Sequence, residues 1–463
     1  MNKNNVTLSI GSVALVDKVD AQYRVFDRLL HGIGGRAKHF MQSVKLFVNN
    51  RLGECFSTNR LVGGYDDEFF SLLGFESTPK ERSLYRDLER LGKNYQFIME
   101  RYQSFLQEEG LLSSTQFIDF SASYFEGKAC ALGELGYSRD GQPGKKQITF
   151  GVSTGINGIP SALTIQKGNV QDKTHFRFML KTAGAVLQSN SVLIFDCGGN
   201  TKENKRLIRE KGFHYLTLKP KQQGPYRKAL ALFHAGLKVP VVLGERQYEC
   251  VHVQNGEEWQ YIYFSEQLKN EQLSIKTTRF ERELSRNKPV LRKTKQGKVI
   301  EEYRTEEGVV TTKGTLQQTL ATTNHLVTGL EGYFVLESSI NTSPERVLAL
   351  YKGKDKAEKL IRSIKEGTEL RPMRHWSTSA VIGYVLVVFL TNFFTSLTLH
   401  NAREPVVKNV KLLKKYLAKL SLVIIYSSAG FKHAVLANIC DEITSILGDF
   451  PSKYGKKSLP LQW

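Results

Sequence analysis

The pattern of apolar and polar positions changes character along the chain. Residues 1–112 read as helical: in 25–52 apolar positions are interleaved with Arg28, Arg36, Lys38, Lys45 and Arg51, and 59–91 offers short pieces broken at Gly63-Gly64, Gly74 and Pro79. Thr78-Pro79-Lys80-Glu81 predicts a helix start with Thr78 as N-cap and Glu81 closing a capping box. The following stretch, 82–91, presents Arg82, Arg86 and Arg90, with Lys93 beyond it. That arrangement suits a helix-turn-helix reader of DNA or an ordinary scaffold pair.

From Thr115 the texture becomes strand-like. Thr115-Gln116-Phe117-Ile118-Asp119-Phe120 is one apolar run; Gln147 to Thr154 and Ile159 to Gln166 flank Asn157-Gly158, a strong hairpin signal. A helix over 174–187, a strand Ser191-Val192-Leu193-Ile194-Phe195-Asp196, a helix over 202–211 and a strand over 215–218 follow. Three strands in meander and then alternating helix and strand predict a mixed sheet with helices against it. Asp119 and Asp196 would end neighbouring strands if the fourth strand pairs beside the first. The long interval to Glu358 reads as a second, β-rich body. The apolar stretch 380–394 is about 15 residues, short of the roughly 20 that cross a bilayer, and Asn392 interrupts it, so a buried helix is expected. The tail from Val406 reads as helices with a basic outer face formed by Lys408, Lys411, Lys414, Lys415 and Lys419.

Length and composition sharpen this picture. The 463 residues allow two to four domains. A net charge of +20, from 65 Lys and Arg against 45 Asp and Glu, favours a polyanionic partner. Residues 276–298 hold nine Lys and Arg against two Glu, either a solvated loop or a surface for DNA phosphates. The five cysteines lack CxxC spacing and are odd in number, which argues against a structural zinc site or a disulfide framework and for a reducing compartment. The N-terminus lacks the sustained apolar core of a signal peptide.

Candidate chemistry rests on Asp119, Asp196 and Glu358, which could share two divalent ions. Ions held by carboxylates activate water and stabilise the leaving oxygen of a phosphodiester. Treated as one helix from Tyr351 at about 100° per residue, Tyr351, Lys354, Glu358, Arg362 and Lys365 fall within about 80° of each other. Ala357, Leu360, Ile361 and Ile364 form an adjacent apolar face suited to packing on the sheet. Lys354, Arg362 and Lys365 would then grip the phosphate backbone, and Tyr351 a phosphate, sugar or base. Glu337 is a rival third acid without basic helical neighbours. Asp140 and Asp172 read as turn and cap residues. His175 and His214 lack metal-ligand spacing, and Gly198-Gly199 lacks the phosphate-loop lysine.

Tyr351-x2-Lys354-x3-Glu358-x6-Lys365 resembles the Tyr-x2-Arg-x3-Glu-x6-Lys signature of bacterial and archaeal insertion-sequence transposases of the DDE class. Gly136-Tyr137-Ser138-Arg139-Asp140-Gly141, Lys146-Gln147-Ile148, Gly158-Ile159-Pro160, Lys167-Gly168-Asn169-Val170-Gln171-Asp172, Phe195-Asp196-Cys197-Gly198-Gly199-Asn200 and Leu370-Arg371-Pro372 resemble the same group's catalytic consensus, over residues 110–400. The resemblance implies an α/β, ribonuclease-H-like mixed sheet flanked by helices, with a β-rich insertion and a helical N-terminal domain. It divides the chain into 1–112 (DNA-binding), 113–220 and 336–400 (catalytic), 221–335 (insertion) and 401–463 (C-terminal helices). It further implies two Mg2+ or Mn2+ ions on Asp119, Asp196 and Glu358, and DNA contacts from Tyr351, Lys354 and Lys365. The implied partners are double-stranded DNA, as terminal inverted repeats and target, and a second copy in a synaptic complex. The implied setting is a prokaryotic cytoplasm, at the nucleoid, with no membrane. Lys354 stands where arginine is usual, keeping the charge but losing the bidentate fork. Trp259 is the insertion's candidate for holding a flipped base, with buried packing as its alternative. A nuclease of the same fold without strand transfer, and a non-catalytic DNA-binding descendant, are the competing functions.

Overall fold

The computed structural model describes residues 5–34, 37–127, 129–285, 290–293, 299–305, 308–311, 316–318, 327–402, 409–426 and 432–455. Arg36, Lys408 and parts of the basic stretch, 286–289 and 294–298, fall outside them. The chain divides into two compact units, one of Met1–His214 with Gly353–Trp463 and one of Tyr215–Lys352.

The first unit carries a mixed α/β architecture. Its central sheet contains β1 (Thr115–Tyr124), β2 (Gln147–Gly155), β3 (Pro160–Lys167) and β4 (Val192–Phe195), in the order β3-β2-β1-β4. β1, β2 and β3 are an antiparallel meander, while β4 lies parallel to β1. The fourth strand therefore does pair beside the first. β1 and β2 are buried on both faces. Gly158, at φ +81°, turns the chain between β2 and β3, a conformation open to glycine at little cost. Helix α1 (Asp172–Ala183) buries His175, Phe176, Met179, Leu180 and Ala183 against the meander.

His175 has no exposed surface, and its Nε2 meets Thr164 Oγ1 at 2.9 Å. Burial, with the Arg139 charge adding to it, pushes its imidazole down to about 3. An unfolded chain takes up this proton below its usual value of about 6.5 whereas the fold refuses it, so stability is complete above that pH and falls as pH drops towards 3. The expected loss is about 1.4 kcal/mol per pH unit between those limits. Denaturant titrations of the wild type and His175→Gln at pH 7, 6 and 5 should show a steeper decline in the wild type; equal declines would contradict this origin.

The apolar stretch expected to hold about 15 residues forms a helix of 24, α3 (Thr378–Asn401), capped by Ser377 and buried along nearly its whole length. By length and composition it could cross a bilayer; here its side chains pack inside the protein. The helix Glu81–Lys93 crosses it so closely that a Cβ on Gly92 or Gly383 would overlap the other helix's backbone. Asn392, the interruption in the apolar run, is fully satisfied: it accepts from Ser363 and donates to Thr368 Oγ1 (3.0 Å) and Val388 O (2.8 Å).

Two local expectations change. The helix predicted from Thr78 starts at Glu81 with Lys80 as its cap residue, and Thr78 instead hydrogen-bonds Asp67. The tail is not only helical: Ser421–Tyr426 and Lys432–Ala437 join Val6–Ser9 in an antiparallel three-stranded sheet. The β-branched run Val423-Ile424-Ile425 carried that signal.

In the second unit, Val239–Leu243, Arg246–Asn255, Glu258–Phe264 and Tyr333–Ser338 pair antiparallel in that order, and a strand ending at Leu218 pairs with Tyr333–Ser338. Val290–Lys293, Val299–Thr305, Gly308–Thr311 and Leu316–Gln318 form a separate meander. Between them lies an unpredicted helix, Glu266–Ser285, none of whose residues is buried. It takes up the start of the basic stretch, where Lys276 pairs with Glu331 and Arg279 with Glu283.

Candidate active site

Pairing register brings the first two acids level. Phe117 on β1 faces Ile194 on β4, with Asp119 two residues further along β1 and Asp196 two residues further, just past the end of β4. The Asp119 carboxylate is largely buried and accepts from Phe120 N at 3.0 Å. Asp196 lies just past β4, where its Oδ1 accepts from Gly198 N at 2.9 Å. A Cβ on Gly198 would come within 2.7 Å of Asp172 Oδ2 and 3.2 Å of Asp196 Oδ1, so a larger residue there would push on the Asp172 carboxylate. Burial, and then Asp196, hold the neighbouring Cys197 thiol above its ordinary value, which disfavours a thiolate nucleophile.

The third acid arrives differently from the single helix expected. The chain forms a helix Pro344–Lys352, breaks at Gly353 and Lys354, and restarts as α2 (Asp355–Arg362), followed by a wider turn, Ser363–Gly367. Glycine's poor helix propensity explains the break. Tyr351 thus sits on a helix of the other unit, and the single continuous helix assumed from Tyr351 to Lys365 is interrupted. The apolar face was read correctly: Ala357, Leu360, Ile361 and Ile364 are buried, and α2 packs on β1 and β2. That seat leaves Glu358 in the first turn of α2 and half exposed.

Lys354 joins the acids. It is 6% exposed, with Nζ 3.0 Å from Glu358 Oε1 and 3.6 Å from Asp119 Oδ1. Burial alone would lower its ammonium, but Asp119, Asp196 and Glu358 together raise it above the ordinary value. Burial pushes Asp119 up to about 6; Lys354 opposes this, while Asp196 and Glu358 add to it. The three acids are thus electrostatically coupled around one ammonium. Among the described residues no three His, Cys, Asp or Glu side chains are close enough to share an ion as they stand. The donor chemistry nonetheless fits divalent cations: hard carboxylate oxygens, negative in excess, with one partly open to solvent.

The remaining predicted contacts separate. Arg362 is exposed at the end of α2. Lys365 is buried and bound to Asp140 Oδ1 at 2.7 Å, so it faces inward and not towards solvent. Asp140, read as a turn residue, also takes Arg371 Nη1 at 2.8 Å and Tyr124 N at 3.2 Å with its side chain 2% exposed. Asp172 is the first residue of α1, not its cap, and receives Arg139 Nη2 on both oxygens at 2.6 and 2.5 Å; Arg139 also donates to Phe120 O. Arg139 and Asp140 therefore tie β1, α1 and the turn after α2 together. Their motif was visible in the sequence; the burial of the Asp140 side chain was not. A cleft of about 300 Å³, lined by Tyr137, Arg139, Asn169, Asp172 and Gly198 among others, opens beside the Asp196 turn. The rival acid Glu337 is buried in a strand of the second unit and paired with Lys219 at 2.5 Å, which accounts for it structurally.

No family model and no curated protein matches the chain. Among solved structures it is similar to a piggyBac transposase synaptic complex with hairpin DNA, determined by cryo-EM, at a TM-score of 0.43 and 9% identity over 88% of this chain and 79% of that one. A likeness of that size assigns neither a family nor an activity.

Proposed function

We propose that this chain is a DDE transposase that binds the terminal inverted repeats of an insertion sequence, cleaves at the element's ends and joins the freed 3′ ends to target DNA. The observation that carries the reading is the coupling of Asp119, Asp196 and Glu358 around the Lys354 ammonium, with Asp119 in β1 and Asp196 just past its parallel neighbour β4. Two Mg2+ or Mn2+ ions held by these acids would supply an activated water and stabilise the leaving oxygen. Asp119 and Asp196 offer fixed oxygens because each accepts a backbone N–H close by in the chain. Glu358, more exposed, is the ligand free to adjust. Arg362 offers an exposed guanidinium to the phosphate backbone, and the +20 net charge draws DNA to the protein. Two copies would hold the two ends together.

Linear DNA bearing the inverted repeats that flank the gene, incubated with protein, Mg2+ and a supercoiled plasmid, tests the reading. Joined products are expected. Cleavage without joining would favour a nuclease of the same fold, and the absence of both would leave only DNA binding.

A further inference from the structure

Lys354 is the group that the DNA-gripping reading explains least. A residue meant for solvent-borne phosphates is here 6% exposed and turned onto the acids. Its ammonium lies 3.0 Å from Glu358 and 3.6 Å from Asp119, and Asp196 acts on it as well. A divalent ion needs carboxylate oxygens at about 2.0–2.6 Å. An ion drawing on Asp119 and Glu358 would claim the same oxygens and nearly the same space as the ammonium.

We propose that Lys354 is the resident cation of the metal-free site: it keeps Asp119, Asp196 and Glu358 assembled and must withdraw before an ion can bind. The inference rests on those acids being the metal ligands, and it assigns the site's regulation to one side chain. Three carboxylates without a counterion would repel each other, and the ammonium prevents this at the cost of competing with the ion. Lysine suits the task as a compact point charge on a flexible four-carbon stem, whereas arginine's planar fork would hold two carboxylate oxygens more stubbornly. The stem leaves the chain at the break between two helices, next to Gly353, so withdrawal need not unwind α2. Once released, the ammonium stands beside the ions, free to meet a phosphate.

Two measurements on the full chain without DNA test this. In the wild type, acylation of Lys354 by a water-soluble amine reagent, read by peptide mass spectrometry, should be slow without metal and several-fold faster in saturating Mn2+. Lys365, held by Asp140, provides an internal reference that does not respond. Separately, Lys354→Met and Lys354→Gln should bind Mn2+ more tightly in calorimetry. If lysine occupies the acids nine-tenths of the time, the gain is about tenfold. Circular dichroism establishes that the variants fold, and the acylation arm needs no variant. Unchanged Lys354 reactivity on metal saturation, or Mn2+ binding by both variants no tighter than wild type, overturns the inference. Wild type that binds Mn2+ and loses it in Asp119→Asn, yet shows no Lys354 response, sinks this inference alone. Wild type with no saturable Mn2+ binding, or Asp119→Asn binding like wild type, sinks the assignment of the acids and this inference with it.

Discussion

Asp119→Asn is expected to lower metal-dependent DNA cleavage by roughly 10³-fold or more, because a metal site supplies several kcal/mol of transition-state stabilisation and each 1.36 kcal/mol is tenfold in rate. Asparagine keeps the shape and the acceptor for Phe120 N but removes the charge that would hold a cation. Stability should move the other way or not at all. Burial and two neighbouring carboxylates already make the Asp119 charge costly, pushing its carboxyl up to about 6. Neutralising it relieves that cost while giving up the attraction of Lys354, the usual trade between a strained site and a stable fold. Cleavage of end-containing DNA in Mg2+, DNA binding in EDTA and thermal unfolding are read side by side. Asp196→Asn and Glu358→Gln should match in activity, while Asp355→Asn, on the same helix but paired outward with Lys359, should stay near wild type. Cleavage by Asp119→Asn within tenfold of wild type, with the same metal dependence, would remove the acids from the chemistry.

What the sequence revealed follows from what periodicity can report. Asp119 and Asp196 were legible because apolar runs mark strands and an acid beside such a run stands out, although only Asp196 follows the end of its strand, whereas Asp119 lies in the middle of β1. The seat of α2 was legible through Ala357, Leu360, Ile361 and Ile364, since packing imposes a 3.6-residue repeat. The break at Gly353 was not: projecting side chains at a constant 100° assumes the continuity it is meant to test, although Lys354 and Glu358, four residues apart, do meet as the projection has them. Charged residues misled in a consistent way. Lys354 and Lys365 read as phosphate contacts and Asp140 as a turn residue because buried charges are uncommon, whereas each side chain is buried against an opposite charge, Asp119 for Lys354 and Asp140 for Lys365, that lies far off in sequence. Glu266–Ser285 escaped notice for a related reason. Nothing buries it, so it lacks the apolar stripe that betrays a helix. The terminal sheet needed Val6–Ser9 to meet strands more than 400 residues away, a pairing that local pattern does not encode.

Asp140→Asn tests the other buried charge cluster and should cost stability and not chemistry first. Its carboxylate, 2% exposed, is shared by Lys365 at 2.7 Å and Arg371 at 2.8 Å, so removing it strands the buried Lys365 ammonium and leaves Arg371 only Glu366, at 3.1 Å. Breaking a buried pair from one side typically costs about 3–5 kcal/mol. The lower end is expected here because Lys365 has an escape: burial already pushes its ammonium down against the pull of Asp140, and without that carboxylate it can shed its proton. Lys365→Met added to Asp140→Asn should therefore restore part of the loss, although each change alone destabilises, which is the signature of coupling in a double-mutant cycle. Cleavage should fall less than stability at temperatures where the variant remains folded, since Asp140 acts on Glu358 only through the turn after α2. Urea unfolding of the wild type, both single variants and the double variant decides it. A loss below about 1 kcal/mol for Asp140→Asn would mean that these charges are screened as surface pairs are, and that the Arg139-Asp140 segment does not hold the site's elements together.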